Sequence, residues 1–318
     1  MIAIILLFFA STYQASAQDE ICNYFKNCGN ASQSSTSKSQ PSSSIAANFN
    51  PSNISNIKGL GVETLYHPNN PVGFNLVTGN GKIGGALITP SAENSFFGNR
   101  AIEIDEVYAE RRRVKKRYRT KKINVALGAK IIKGRNYALD LGLSIKRNSE
   151  VKKFNPGVGL SARLWFLTFG AYLYKDDTKI ELKDYIDPYT HMHYQTKYDG
   201  ATTYTETFTA KTFSIGTQVG NLSLDVGFIK TKYKFYENET SIVVYSSAYN
   251  YKKFLFNLAY RKESSDNLAE ANGMLTFQRD KKYAYGGVQY LWNKNVSTGI
   301  AYNNFLVNDI SLTLTLFL

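Results

Sequence analysis

The sequence predicts an all-β protein: a transmembrane barrel of about 14 antiparallel strands with a short plug or hatch at its N-terminus. Three observations carry that expectation. In the final segment Ile310, Leu312, Leu314, Leu316 and Leu318 are apolar, while Ser311, Thr313 and Thr315 between them are small and hydroxylic. On a strand this gives one hydrocarbon face and one polar face. Segments of the same two-faced kind recur through the chain, and no apolar run is long enough for a spanning helix. Short and long connections alternate between them, as in bacterial outer-membrane barrels, where periplasmic turns are tight and outer loops long.

Three regions follow in order: a signal peptide at 1–17, a periplasmic segment at 18–59 and the barrel at 60–318. Ile2 to Ala10 is a short apolar core, and Ala15-Ser16-Ala17 is a small-residue cleavage site, the pattern of a secretory signal that lacks only its basic start. Export suits the two cysteines, Cys22 and Cys28, which are expected to close a small disulfide loop in an oxidising compartment. Residues 31–44 are nearly all Ser, Gln, Thr and Lys and read as a flexible linker. In Phe49-Asn50-Pro51-Ser52-Asn53-Ile54, Pro51 keeps Asn50 out of the helical region, and Asn50, Ser52 and Asn53 suit the cap of a short helical turn.

Alternation then marks strands at 60–66, 72–78, 82–89, 123–132, 136–145, 156–163, 165–174, 204–219, 221–235, 241–249, 252–262, 282–292, 296–303 and 310–318. Ile123, Val125, Leu127, Ala129 and Ile131 share a face, as do Tyr137, Leu139, Leu141, Leu143 and Ile145. Between Phe228 and Tyr233 the alternation slips, which marks a bulge or the exit from the bilayer. If the first strand runs outward from the periplasm, every second connection must be short. These are Gly79-Asn80-Gly81, Lys133-Gly134-Arg135, the junction near Leu164, Gly220-Asn221, Asn250-Tyr251 and Asn293-Lys294-Asn295, most of them tight-turn residues. The long connections are 90–122, 175–203 and 263–281. This parity places both termini in the periplasm of a bacterial outer membrane. It also sets Trp165 and Trp292 beside the periplasmic turns, where an aromatic girdle belongs. Plentiful Tyr (23) and Phe (19) with rare Pro (7) fit a strand-rich wall.

Asn50-Pro51-Ser52, followed by Gly59 and a first strand, resembles the Asn-Pro-Ala hatch motif of the FadL-type outer-membrane family, which carries long-chain fatty acids and other hydrophobic molecules. Ser52 stands where that motif has Ala, and Leu318 ends the chain where barrel-assembly signals have an aromatic, here Phe317. The resemblance implies a plug formed by the mature N-terminus and an interrupted third strand that opens sideways into the bilayer. Gly84-Gly85 would supply that kink. It also implies passive uptake of a hydrophobic small molecule. The barrel-assembly machinery is the expected partner during biogenesis.

A net charge of +13 points to an anionic partner, and export disfavours nucleic acid. The strongest cluster runs from Arg111, Arg112 and Arg113 through Lys115, Lys116 and Arg117 to Lys122, at the end of the longest outer loop. It is expected to face outer-membrane lipid, chiefly lipopolysaccharide phosphates, or to attract anionic ligands; a merely solvated loop is the plain alternative. Lumen-facing polar groups are expected at Lys130, Asp140, Arg163, Gln218, Asp225, Arg261 and Gln289. They also support a polar diffusion porin, and a non-transporting surface or secretion-complex barrel is a third reading. His191-Met192-His193 lacks identifiable third and fourth ligands and reads as a polar loop, so no metal and no cofactor are expected. No Ser, His or Asp spacing marks a nucleophile with its base, and no enzymatic activity is expected.

Overall fold

The computed structural model describes residues 50–67, 70–88, 122–148, 152–181, 185–186, 193–194, 203–233, 239–265, 281–293, 295–303 and 309–317. The signal peptide, Cys22 and Cys28, the linker, the basic run from Arg111 to Lys121, His191 and Met192, and Leu318 lie outside them.

A 3-10 turn, η1 (Pro51–Asn56), leads into the strands. The first seven are β1 (Lys58–His67), β2 (Asn70–Asn80), β3 (Ile83–Ile88), β4 (Lys122–Lys133), β5 (Tyr137–Asn148), β6 (Lys153–Leu164) and β7 (Leu167–Glu181). A two-residue pair, β8 (Tyr185–Ile186) and β9 (His193–Tyr194), decorates the next connection. Then come β10 (Thr203–Val219), β11 (Leu222–Tyr233), β12 (Glu239–Tyr251), β13 (Phe254–Ser265), β14 (Lys281–Asn293), β15 (Val296–Asn303) and β16 (Asp309–Phe317).

Fourteen strands, all but β8 and β9, form one closed antiparallel barrel, each paired with its neighbours in the sheet. Closure joins β1 to β16, from Gly61 opposite Phe317 to Tyr66 opposite Leu312. A closed ladder leaves no strand edge along its paired stretch, the condition for strands to cross hydrocarbon; β7 and β10 run on past their β6 and β11 neighbours, paired there only with each other.

The two faces sort as the alternation predicts. On β5, Leu141, Leu143 and Ile145 point outward and are exposed, while Asp140, Ser144 and Lys146 point inward and are buried. The same holds on β16, where Leu312, Leu314 and Leu316 are outside and Thr315 is inside. Leu127 (57%), Leu258 (65%) and Phe213 (59%) belong to an apolar outer band far larger than the patches a water-soluble monomer exposes. This is the architecture of an outer-membrane barrel.

Four expectations need correction. The ladder is unbroken from Phe228 to Tyr233, with no bulge: Ile229 turns inward to pack with Ile242 and Val244, while Lys230 on the outer face pairs with Glu239 at 2.6 Å. The slip therefore marks a strand end whose inner face turns apolar. The third strand has no kink at Gly84-Gly85, because both residues pair with β2 and with β4. The turn expected at Asn250-Tyr251 falls at Lys252-Lys253, since Tyr251 still pairs with Phe254. Trp165, placed at a strand start, is instead a turn residue with φ 53, as is Lys252 with φ 52. Pairing to the neighbouring strand decided these turns over the Asn and Gly preference.

Candidate functional site

Backbone chemistry starts the site. Asn50 is extended (φ −158, ψ 109) ahead of Pro51, and its Oδ1 accepts from the Ser52 amide at 3.1 Å and from Ser52 Oγ at 2.8 Å. This Asn cap with proline at the first helical position closes a tight 3-10 turn. The turn ends where Ile57 N donates to the Ile54 carbonyl at 3.1 Å.

The turn lies on the inner wall. Pro51, Ser52, Asn53, Ile54 and Ser55 are all buried, and Ile54 and Ile57 have no exposed surface. Asn50 Nδ2 donates to the Leu160 carbonyl at 3.0 Å and the Ala171 carbonyl at 3.3 Å, which ties the turn to β6 and β7. Ser52 Oγ bonds Ser161 Oγ at 2.8 Å, and Ser55 Oγ donates to Asp140 Oδ1 at 2.7 Å. At its other end the Gly81 amide donates to the Ile57 carbonyl at 2.7 Å.

What admits the turn is a row of glycines across five strands. Gly79 of β2 stands opposite Gly84 of β3, Gly84 opposite Gly128 of β4, Gly128 opposite Gly142 of β5, and Gly142 opposite Gly159 of β6. A Cβ at Gly128 would lie 2.7 Å from the Pro51 carbonyl oxygen and 2.8 Å from Ser55 N. One at Gly142 would collide with Pro51 C and Ser52 N, one at Gly84 with the Ile54 carbonyl oxygen, and one at Gly159 with Asn50 Oδ1. Every one of these contacts involves backbone or a buried polar atom, so the missing side chains are the slot itself. Tyr172, opposite Gly159, closes the far end; its ring lies over Gly157 and its hydroxyl meets Ser144 Oγ at 2.8 Å.

Of the anticipated site residues, the structure brings Asn50, Pro51, Ser52 and Gly84 together. Gly85 points to the other face, where an added Cβ would meet only Leu127 Cδ2 at 3.4 Å and Ala126 O at 3.8 Å. Asp140, Asp225 and Arg261 are buried on the inner face as expected. Lys130 and Arg163 share that inner face but stand at the turn end of the barrel: Lys130, opposite Asp140, donates from Nζ to the Gly81 carbonyl at 3.0 Å, and Arg163, opposite Ala138 and Thr168, is exposed at the strand end. Gln289 Nε2 donates to the buried Ser297 hydroxyl at 2.8 Å, and the Gln218 side chain lies outside the described residues.

Sequence reading missed the inner groups above the turn, because it ended β5 at 145 and β7 at 174. One more step of the same alternation would have found Lys146 and Asp176, both buried. Lys146 Nζ stands 4.6 Å from the Tyr174 ring centroid, Tyr174 stacks on Tyr172 at 4.7 Å, and Phe208 meets Tyr174 edge-on at 6.3 Å. Among the described residues no group of three His, Cys, Asp or Glu is placed to hold a metal. The arrangement offers a polar wall, an aromatic strip and a docked segment.

No protein-family profile matches the chain, and no curated protein does. Among solved structures it is similar to in-vitro folded OmpT, an outer membrane protein of Vibrio cholerae, with 8% identity and a TM-score of 0.44 over 82% of this chain and 96% of that one. It is similar to a bacterial polysaccharide outer membrane secretin with 9% identity and a TM-score of 0.44, over 83% of this chain and 99% of that one. It is also similar to Salmonella typhi OmpF in complex with daunomycin, with 12% identity and a TM-score of 0.41, over 83% of this chain and 98% of that one.

Proposed function

We propose that the chain is an outer-membrane channel for small polar solutes, with the Asn50 to Ile57 segment as a hatch on its inner wall. The observation that carries this reading is the polar inner face of a closed barrel, on which Asn124, Asp140, Ser144, Lys146, Asp225 and Arg261 are all buried. These groups are covered in the closed form; once they are uncovered, a solute moving past would exchange water for fixed donors and acceptors, as in a water-filled pore. A peptide turn can leave a glycine slot without unfolding any strand, because the slot offers no interlocking side chain.

A second reading keeps hydrophobic cargo such as fatty acids. It is favoured by two inward apolar clusters, Tyr172 with Tyr174, Phe208 and Ala210, and Ile229 with Ile242 and Val244. With β3 continuous at Gly84-Gly85, such cargo would travel along the lumen and not out through that strand.

Conductance in a planar bilayer tests the proposal. The full chain is expected to give a closed baseline, and the chain lacking residues 18–57 a steady ohmic conductance. Equal conductance by both removes the hatch, and none from either removes the channel. Uptake of an uncharged hydrophobic probe by the shortened chain, without ion conductance, would favour the second reading.

A further inference from the structure

The tight turns gather at one end of the barrel, together with the start of β1 and the end of β16, and that end carries charge of one sign. Lys82, Arg135, Lys252 and Lys253 are exposed there in the turns, and Lys133 and Arg163 are exposed at strand ends, in register with the inward-facing Ala138. Lys130 is within electrostatic reach of Lys58, Lys133 and Arg163, so several of these cations crowd one another. The stretches that build this end, 57–60, 79–84, 130–137, 161–168, 217–224, 248–257 and 289–298, contain neither Asp nor Glu. Asp140, opposite Lys130, and Asp225 are buried on the inner face just inside this end, and Asp176, Asp177, Glu181, Glu239 and Glu263 stand toward the other end of their strands, so no acid joins the exposed cations of the rim.

Exposed aromatic rings share the rim. Trp165 is 69% and Trp292 58% exposed, and Tyr251 and Tyr290 stand beside the same turns. Lys252 Nζ lies 5.3 Å from the Tyr251 ring centroid, and Lys253 Nζ donates to the Trp292 carbonyl at 3.4 Å. Tryptophan on the lipid side of a barrel marks the level of the headgroups. The cations beside it are therefore at the level of lipid phosphate, with the geometry of a ring around the wall instead of a single patch for a folded partner.

We propose that this rim binds the headgroups of anionic phospholipids in the leaflet that meets the tight turns. The phosphate oxygens would accept charge-assisted hydrogen bonds from Lys and Arg, and the negative surface would relieve the repulsion among the crowded cations.

The two tryptophans of the chain both sit on this rim, so their fluorescence reads the adjacent lipid directly. The full-length chain, with Trp165→Phe so that Trp292 alone reports, is folded into phosphatidylcholine vesicles. These carry either brominated phosphatidylglycerol or brominated phosphatidylcholine as quencher. Each cation near an anionic surface is worth about a fivefold preference at low salt. Quenching should therefore favour phosphatidylglycerol by about fivefold or more, and the preference should shrink as ionic strength rises. Adding Lys252→Gln and Lys253→Gln should bring it close to one, with folding confirmed by the gel mobility shift on heating. If the double variant does not fold, Lys252→Gln alone should reduce the preference severalfold. Equal quenching by the two lipids would overturn the proposal, as would a preference that survives loss of these lysines. Either result would turn attention to an acidic protein as the rim's partner.

Discussion

Gly142→Ala asks whether the glycine row holds the N-terminal turn. The added methyl carbon would collide with Pro51 C and Ser52 N and stand 2.7 Å from Ser52 Cα. None of these is the end of a flexible side chain, and the wall behind Gly142 is laddered to Gly128 and Gly159, so the turn must give way. Overpacking of this kind costs about 1–3 kcal/mol. Applied to the docked state alone, that multiplies the undocked population about 5- to 150-fold.

Hydrogen exchange followed by mass spectrometry reads that population. The Asn53 and Ile57 amides bond within the turn at 3.1 Å each, and their exchange requires the buried turn to open. Peptides spanning residues 50–57 should exchange faster in the variant by that factor, while β10 to β12 peptides stay unchanged. Gly85→Ala is the control, since its Cβ makes only ordinary contacts on the other face. The reasoning fails if Gly142→Ala leaves peptide 50–57 as protected as before, or if Gly85→Ala exposes it equally.

Two further outcomes follow from the same geometry. Asn50→Ala removes both donors to the Leu160 and Ala171 carbonyls and the cap acceptor for Ser52, a loss of about 0.5–2 kcal/mol for the cap alone; the same peptide should exchange at least about 2- to 30-fold faster. Leu143→Arg places a charge at mid-strand on the outer face of β5, where lipid contact makes it cost about 2–4 kcal/mol; a urea titration of the barrel in vesicles should show a clearly lower midpoint, and an unchanged one would mean that this face does not meet hydrocarbon.

The strands were legible because their signal is local. Side chains alternate with a period of two, and a wall with lipid on one side imposes that period on each strand separately. Leu141 and Leu143 announced their face without reference to any neighbour, and so did Leu312, Leu314 and Leu316. The strand ends were less legible. Asn250-Tyr251 has better turn chemistry than Lys252-Lys253, yet pairing of Tyr251 with Phe254 carries the hairpin one step further.

The hatch segment was partly legible. Asn50-Pro51-Ser52 specifies a capped turn by its own backbone preferences, and its sequence alone set it before the first strand. Where the turn rests was decided by register. Gly79, Gly84, Gly128, Gly142 and Gly159 are spread over eighty residues of sequence and line up only when five strands are paired at particular offsets. The same pairing assigned Gly84 to the slot and not to a break in β3. Alternation fixes which face a side chain takes; the height at which one strand meets the next is settled by closure of the whole ladder, from β1 round to β16, and only the folded barrel contains it.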